Sequence, residues 1–83
     1  MAPDVIDVRS LENYELLVTF ADGECRRFSM LPYLDYPAFR GLRELGRFFS
    51  AHVENGTVAW SDETDISPES LYLAGQRVDV ATP

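Results

Sequence analysis

Tyr14-Glu-Leu-Leu-Val-Thr-Phe-Ala-Asp-Gly-Glu-Cys-Arg-Arg-Phe-Ser-Met30 is the stretch whose reading decides the fold. Leu16, Val18 and Phe20 alternate with Glu15, Leu17 and Thr19, the period-two pattern of a strand with one face turned to a core. Asp22-Gly23 supplies residues that tolerate positive φ, as a tight hairpin turn requires. A second strand follows from Glu24 to Phe28, with Cys25 and Phe28 as its apolar members. Two registers are open. A two-residue loop sets Cys25 opposite Phe20 and Phe28 opposite Leu17, while a three-residue loop with a bulge sets Phe28 opposite Leu16. A slip of one residue turns every side chain to the other face, so only one can hold. The first is favoured, because it gives Leu17 and Phe28 a shared second face that a covering element could bury.

Upstream, Val5-Ile-Asp-Val-Arg reads as a short strand with Ile6 and Val8 toward the core. Pro3 marks where regular pairing can begin, and Asn13 links this strand into the hairpin as an antiparallel meander. Downstream, Leu31 to Pro37 holds two prolines and permits a helical turn but no long element. From Ala38 to about Ser50 the period lengthens. On a helix, Phe39, Leu42, Leu45, Gly46 and Phe49 share one side and Arg40, Arg43 and Arg47 another. Gly41 and Gly46 each cost about 1 kcal/mol relative to Ala, so the helix is expected to be short or broken.

Phe49 to Trp60 reads as a second hairpin over Asn55-Gly56, the strongest two-residue turn signal in the chain. Ser61 to Asp65 is a charged loop. Ser67 is then placed to cap a helix, Pro68 to occupy its first position and Glu69 to complement its positive start. Ile66 and Leu71 are spaced for a hydrophobic staple, and Gly75 is placed to end the helix. Gln76 to Pro83 reads as a loose tail, or as an edge strand through Val78 and Val80. The expected fold is α+β: a mostly antiparallel sheet of about five strands, built from two hairpins and the N-terminal strand, with short helices packed on one face. Residues 1–83 read as one domain with a core over about 3–75.

Composition sets the class. The chain has 83 residues, 46% of them hydrophobic and 12% aromatic, which is too apolar for a disordered chain. No apolar run approaches the roughly 20 residues of a membrane helix. Met1-Ala-Pro-Asp-Val lacks the parts of a signal peptide, so a cytoplasmic protein is expected. A single cysteine, Cys25, fits a reducing compartment and reads as a small buried hydrophobe. Net charge is −7, with arginine as the only strong base. Such a surface is repelled by phosphate, which argues against direct nucleic-acid or anionic-membrane binding.

No catalytic constellation stands out. His52, the only histidine, has no nucleophile motif near it, and one histidine with one cysteine is too little for a zinc site. Asp62, Glu63 and Asp65 cluster in one loop, but lack the mid-loop glycine and distal glutamate of a calcium loop; a solvated loop is the better reading. No glycine-rich phosphate loop is present. No enzyme activity, cofactor or metal is therefore expected. Two interaction cues remain. The Ala38–Ser50 segment carries three Arg and one Glu on an otherwise acidic chain, and Arg40, Arg43 and Arg47 would suit an acidic partner. The plain alternative is a solvated helix face on which Arg40 pairs with Glu44. Tyr33, Tyr36, Phe48 and Trp60 are more aromatic surface than so small a core can take, and those left outside would form a contact patch.

Asn13-Tyr14 followed by Leu17-Val-x-Phe-x-Asp-Gly23, then Arg27-Phe28, Val58-x-Trp60 and Asp65-Ile-Ser-Pro-Glu-x-Leu-Tyr72, resemble the small bacterial family called Domain of Unknown Function 2442. The likeness runs from about Pro3 to Tyr72. Its last motif is the most specific part. Where many relatives carry Trp-Pro-Asn-Gly before Asp-Ile, this chain has Trp60-Ser-Asp-Glu-Thr. The resemblance implies an α+β fold, no catalytic residue and no established activity. It also implies a partner encoded by a neighbouring gene, in an arrangement like a toxin–antitoxin pair. Some relatives carry an added helix-turn-helix domain for DNA, which is not expected here. The competing expectation is a self-associating regulatory or scaffold domain joined through a sheet edge.

Overall fold

The computed structural model describes residues 2–60 and 64–78. Strands β1 (Val5–Leu11), β2 (Glu15–Phe20) and β3 (Cys25–Ser29) form the expected meander. A second hairpin, β4 (His52–Glu54) and β5 (Thr57–Ala59), gains a third strand β6 (Asp65–Ile66) and makes a separate antiparallel sheet. The helices α1 (Leu45–Phe48) and α2 (Pro68–Ala74) are short, and β7 (Gln76–Arg77) closes the first sheet in the order β1-β2-β3-β7. The protein is thus α+β with two antiparallel sheets of four and three strands, where one sheet of about five was expected.

The first hairpin takes the register that was not favoured. Leu16 lies opposite Phe28, and Thr19 opposite Cys25. The reason is the turn. Gly23 alone has positive φ, +89°, its N–H bonds to the Phe20 carbonyl at 2.9 Å, and the Phe20 N–H bonds to Glu24 at 2.8 Å. That leaves three residues in the loop, with glycine in the bulge position. The Asp22 carboxylate holds the Glu24 N–H at 2.9 Å. Phe28 therefore joins Leu16 and Val18 on the core face instead of sharing a second face with Leu17.

A register shift between Val5 and Asp7 corrects the first strand in the same way. Val5 and Val8 both turn inward although they are three residues apart, and Ile6 is left 59% exposed.

The second hairpin matches its turn signal. Asn55 (φ +52°) and Gly56 (φ +78°) are the two loop residues between Glu54 and Thr57. Asn55→Ala should weaken the fold by about 1–2 kcal/mol, because alanine tolerates the left-handed region less well than asparagine. Asn55→Gly should leave the thermal midpoint nearly unchanged. Thermal melts of the two variants check this.

The Ala38–Ser50 segment is not one helix. A 3-10 stretch spans Pro37–Arg43, Glu44 is extended at ψ 118°, and α1 follows. The break changes the helical phase, so Leu42 and Phe48 enter the core and Phe49 turns out, 50% exposed. Phe49 had been expected on the inner side with Leu42, and Phe48 was one of four aromatics not all of which were expected to be buried; the side chain of Leu45 lies outside the described residues. The α2 signature holds: Ser67 Oγ accepts the Ser70 N–H at 3.2 Å, and Ile66 and Leu71 are both buried. Gly75 follows at φ −73°, so close approach is what requires glycine there. An added Cβ would lie 2.5 Å from the Leu71 carbonyl oxygen. β7 answers the edge-strand alternative, while Val80 lies outside the described residues.

One core cluster draws on both sheets, with Phe20, Phe28, Phe48 and Trp60 at its centre. Each such ring contributes roughly 1.5–3 kcal/mol by burial. Trp60 Nε1 donates to the Phe48 carbonyl at 3.0 Å, which satisfies its polar end and ties α1 to the end of the second hairpin.

Candidate interaction surface

The link between β1 and β2 must reverse the chain in three residues, Glu12–Tyr14. It does so with two consecutive left-handed residues, Asn13 at φ +62° and Tyr14 at φ +60°. Asparagine tolerates this conformation, but tyrosine pays for it, and such residues persist only where their surroundings hold them. Tyr14 is held. Its ring meets Phe48 edge-on at 5.1 Å, and its hydroxyl donates to the Arg43 carbonyl.

Beside this link Glu12, Asn13, Tyr14, Leu31 and Phe49 line an open depression of about 620 Å³. Leu31 is 54% and Phe49 50% exposed. Leu31 is there because Met30 fills the core and a 3-10 turn begins at once. Phe49 is there because of the break at Glu44. Sequence reasoning missed this surface, since it needs the phase change that sends Phe49 outward.

The residues picked from sequence are dispersed. Arg40 and Arg43 lie in the 3-10 stretch and Arg47 in α1, so no single helical stripe forms, though all three are exposed. Arg43 pairs with Asp35; the expected Arg40–Glu44 pair is not among the ion pairs of the described residues. Tyr36 is 55% exposed and meets Tyr33 edge-on at 5.7 Å. Tyr33 is half-buried and stacks on Phe28 at 5.4 Å. Trp60 and Phe48 are buried, at 2% and 0% exposure. They are core residues, and the surplus of exposed aromatics reduces to Tyr36 and Phe49 with parts of Tyr33 and Phe39.

Candidate chemistry is also dispersed. His52 is exposed on β4, its Nδ1 3.0 Å from the Ser50 carbonyl and its Nε2 3.3 Å from Glu54. The Ser50 carbonyl first, and Glu54 second, favour the protonated ring and raise its pKa. Cys25 is buried on β3, 3.9 Å from the Thr19 hydroxyl. These two belong to different sheets. Asp65 lies exposed on β6, whereas Asp62 and Glu63 lie outside the described residues. Among the described residues no three metal-ligating side chains converge, and no helix is long and apolar enough to cross a membrane.

A polar network invisible in the sequence joins the first hairpin to the C-terminal segment. Tyr72 donates to Asp22 at 2.9 Å, Arg26 lies over the Tyr72 ring at 4.2 Å, and Glu24 binds Arg26 at 3.0 Å and Arg77 at 2.6 Å. The Glu24 N–H lowers the Asp22 pKa from its ordinary 3.8, and the Arg77 hydrogen bonds lower that of Glu24 from 4.5. Depressed carboxylates stabilise the fold above their unfolded values and lose that contribution as pH falls through the folded ones. Arg77→Gln should therefore lower the urea midpoint at pH 7, with the difference from wild type shrinking toward about pH 3.

Among the curated proteins and the solved structures, no match was found to this chain. The family model described as "Protein of unknown function (DUF2442)" matches residues 5–77, from the first strand through β7. The protein belongs to the DUF2442 family.

Proposed function

We propose that the protein is a non-catalytic protein-interaction module, the antitoxin-like member of a two-gene pair, acting in the cytoplasm. The observation that carries this reading is the depression lined by Tyr14, Leu31 and Phe49, where two half-exposed large apolar side chains converge. Half-exposed large apolar side chains that converge in a concave site are the usual anchors of a protein partner. The occupant is the product of a neighbouring gene, presenting apolar anchors with acidic groups around them. The acidic complement suits the exposed Arg40, Arg43 and Arg47 on a chain of net charge −7. That same net charge speaks against direct nucleic-acid binding. Separation of His52 and Cys25 onto different sheets speaks against catalysis.

Co-expression with the tagged neighbouring product tests the reading. The wild-type chain should co-purify. Leu31→Asp with Phe49→Asp should weaken binding by about 2–4 kcal/mol, roughly 30-fold or more, with the circular dichroism spectrum unchanged. A wild-type chain that fails to co-purify counts against the reading.

A second reading, self-association through a sheet edge, is favoured by the short cover on β3: β7 pairs only Arg26 and Arg27 of its five residues. Light scattering that gives a monomer at high concentration removes it.

A further inference from the structure

The uncovered end of β3 carries a second, smaller depression, of about 280 Å³, whose lining shares no residue with the surface just described. The register makes its backbone available. Phe20 N–H bonds to Glu24 and Met30 N–H to Tyr14, so even-numbered positions of β3 turn to β2 and odd-numbered ones turn outward. Val78 takes the Cys25 carbonyl and Gln76 lies beside Arg27. Ser29, next in that series, has no strand at its side, and its amide faces the depression.

The side chains there are chemically mixed. Arg27 and Glu15 stand on the rim 3.9 Å apart, 52% and 34% exposed. That separation is too long for a hydrogen bond, and neither group makes one elsewhere among the described residues. The Ser29 hydroxyl accepts the Leu31 N–H at 3.3 Å, which leaves its own hydrogen to donate. The apolar part of the lining is the half-buried Tyr33, backed by its stack on the buried Phe28, with the exposed Pro32 beside it. The volume is just under the roughly 300 Å³ at which drug-sized sites begin, so the ligand is small. A simple anion would meet Glu15 and the acidic body, and a simple cation would meet Arg27. A molecule with both charges satisfies both.

We propose that this depression binds an apolar zwitterion of single-amino-acid size. Its carboxylate takes Arg27 and the Ser29 N–H, its ammonium takes Glu15, and its side chain lies on Tyr33 and Pro32. The site is independent of the interaction reading above.

The test is a nitrogen-15 NMR titration of the full chain with L-phenylalanine and, as the peptide source of the same charges, Phe-Phe. L-Phenylalaninamide lacks the carboxylate and 3-phenylpropionate lacks the ammonium. Saturable shifts at the Ser29, Tyr33 and Gln76 amides are expected with L-phenylalanine, and tighter binding of Phe-Phe than of L-phenylalanine would overturn the single-amino-acid size. Each single-charge analogue should bind roughly tenfold or more weakly. Arg27→Gln, at an exposed position, and Glu15→Gln, at a partly exposed one, should each weaken phenylalanine binding comparably while the remaining amide spectrum stays in place. Absence of saturable shifts, or equal binding of either single-charge analogue, overturns the proposal.

Discussion

Replacing Phe48 by alanine is expected to cost about 3–5 kcal/mol, whereas Phe49→Ala should change stability by no more than about 0.5 kcal/mol. Phe48 is fully buried. Its ring supports the strained Tyr14, and its carbonyl receives both Trp60 Nε1 and the Ser10 hydroxyl. Removing the ring opens a cavity under the β1–β2 link and loosens the backbone that anchors Trp60. Phe49 touches Phe48 edge-on at 5.7 Å but is half in solvent. Domains of this size have only about 5–15 kcal/mol of stability, so Phe48→Ala should be partly unfolded at modest urea. Urea midpoints of the two variants check this, and the opposite order would place the helix phase where an unbroken 38–50 helix puts it.

The second large effect concerns two glycines that look alike in the sequence. Gly75→Ala should destabilise by about 1–3 kcal/mol, the usual cost of overpacking. The new Cβ would meet the Leu71 carbonyl oxygen at 2.5 Å and the Arg26 Cβ at 3.1 Å. The carbonyl is backbone, so α2 must shift, and with it the Tyr72–Asp22 and Arg26–Gly75 contacts. Gly46 in α1 has no atom within 4 Å of the Cβ position. Gly46→Ala should accordingly stabilise by about 0.5–1 kcal/mol through the lower entropy of the unfolded chain. Opposite shifts in thermal midpoint are the expected result, and equal shifts would mean that α2 does not pack on β3 as described.

Much of the fold was legible because it rests on local chemistry. Asp22-Gly23, Asn55-Gly56 and the Ser67-Pro68-Glu69 cap each specify a conformation by their own side chains. What was illegible rests on distant contacts or a single phase change. The register of the first hairpin depends on whether one or two loop residues take positive φ, and Asp-Gly permits both. The inward turn of Val5 depends on a bulge that only pairing with β2 reveals. β6 and β7 are two residues each, too short to carry a periodic signal. The proposed interaction surface was half visible. The exposure of Arg40, Arg43 and Arg47 was legible, but the apolar depression follows from an extended residue at Glu44, and Trp60, named as a contact residue, is held in the core by its bond to Phe48.

The most direct measurement is a nitrogen-15 NMR map of the full chain bound to the purified product of the neighbouring gene. The account predicts amide shifts centred on Asn13, Tyr14, Leu31 and Phe49, with weaker ones at Arg40, Arg43 and Arg47. Shifts confined to α2 and β6, or a complex in which the Tyr14 and Phe49 amides do not move, would contradict it.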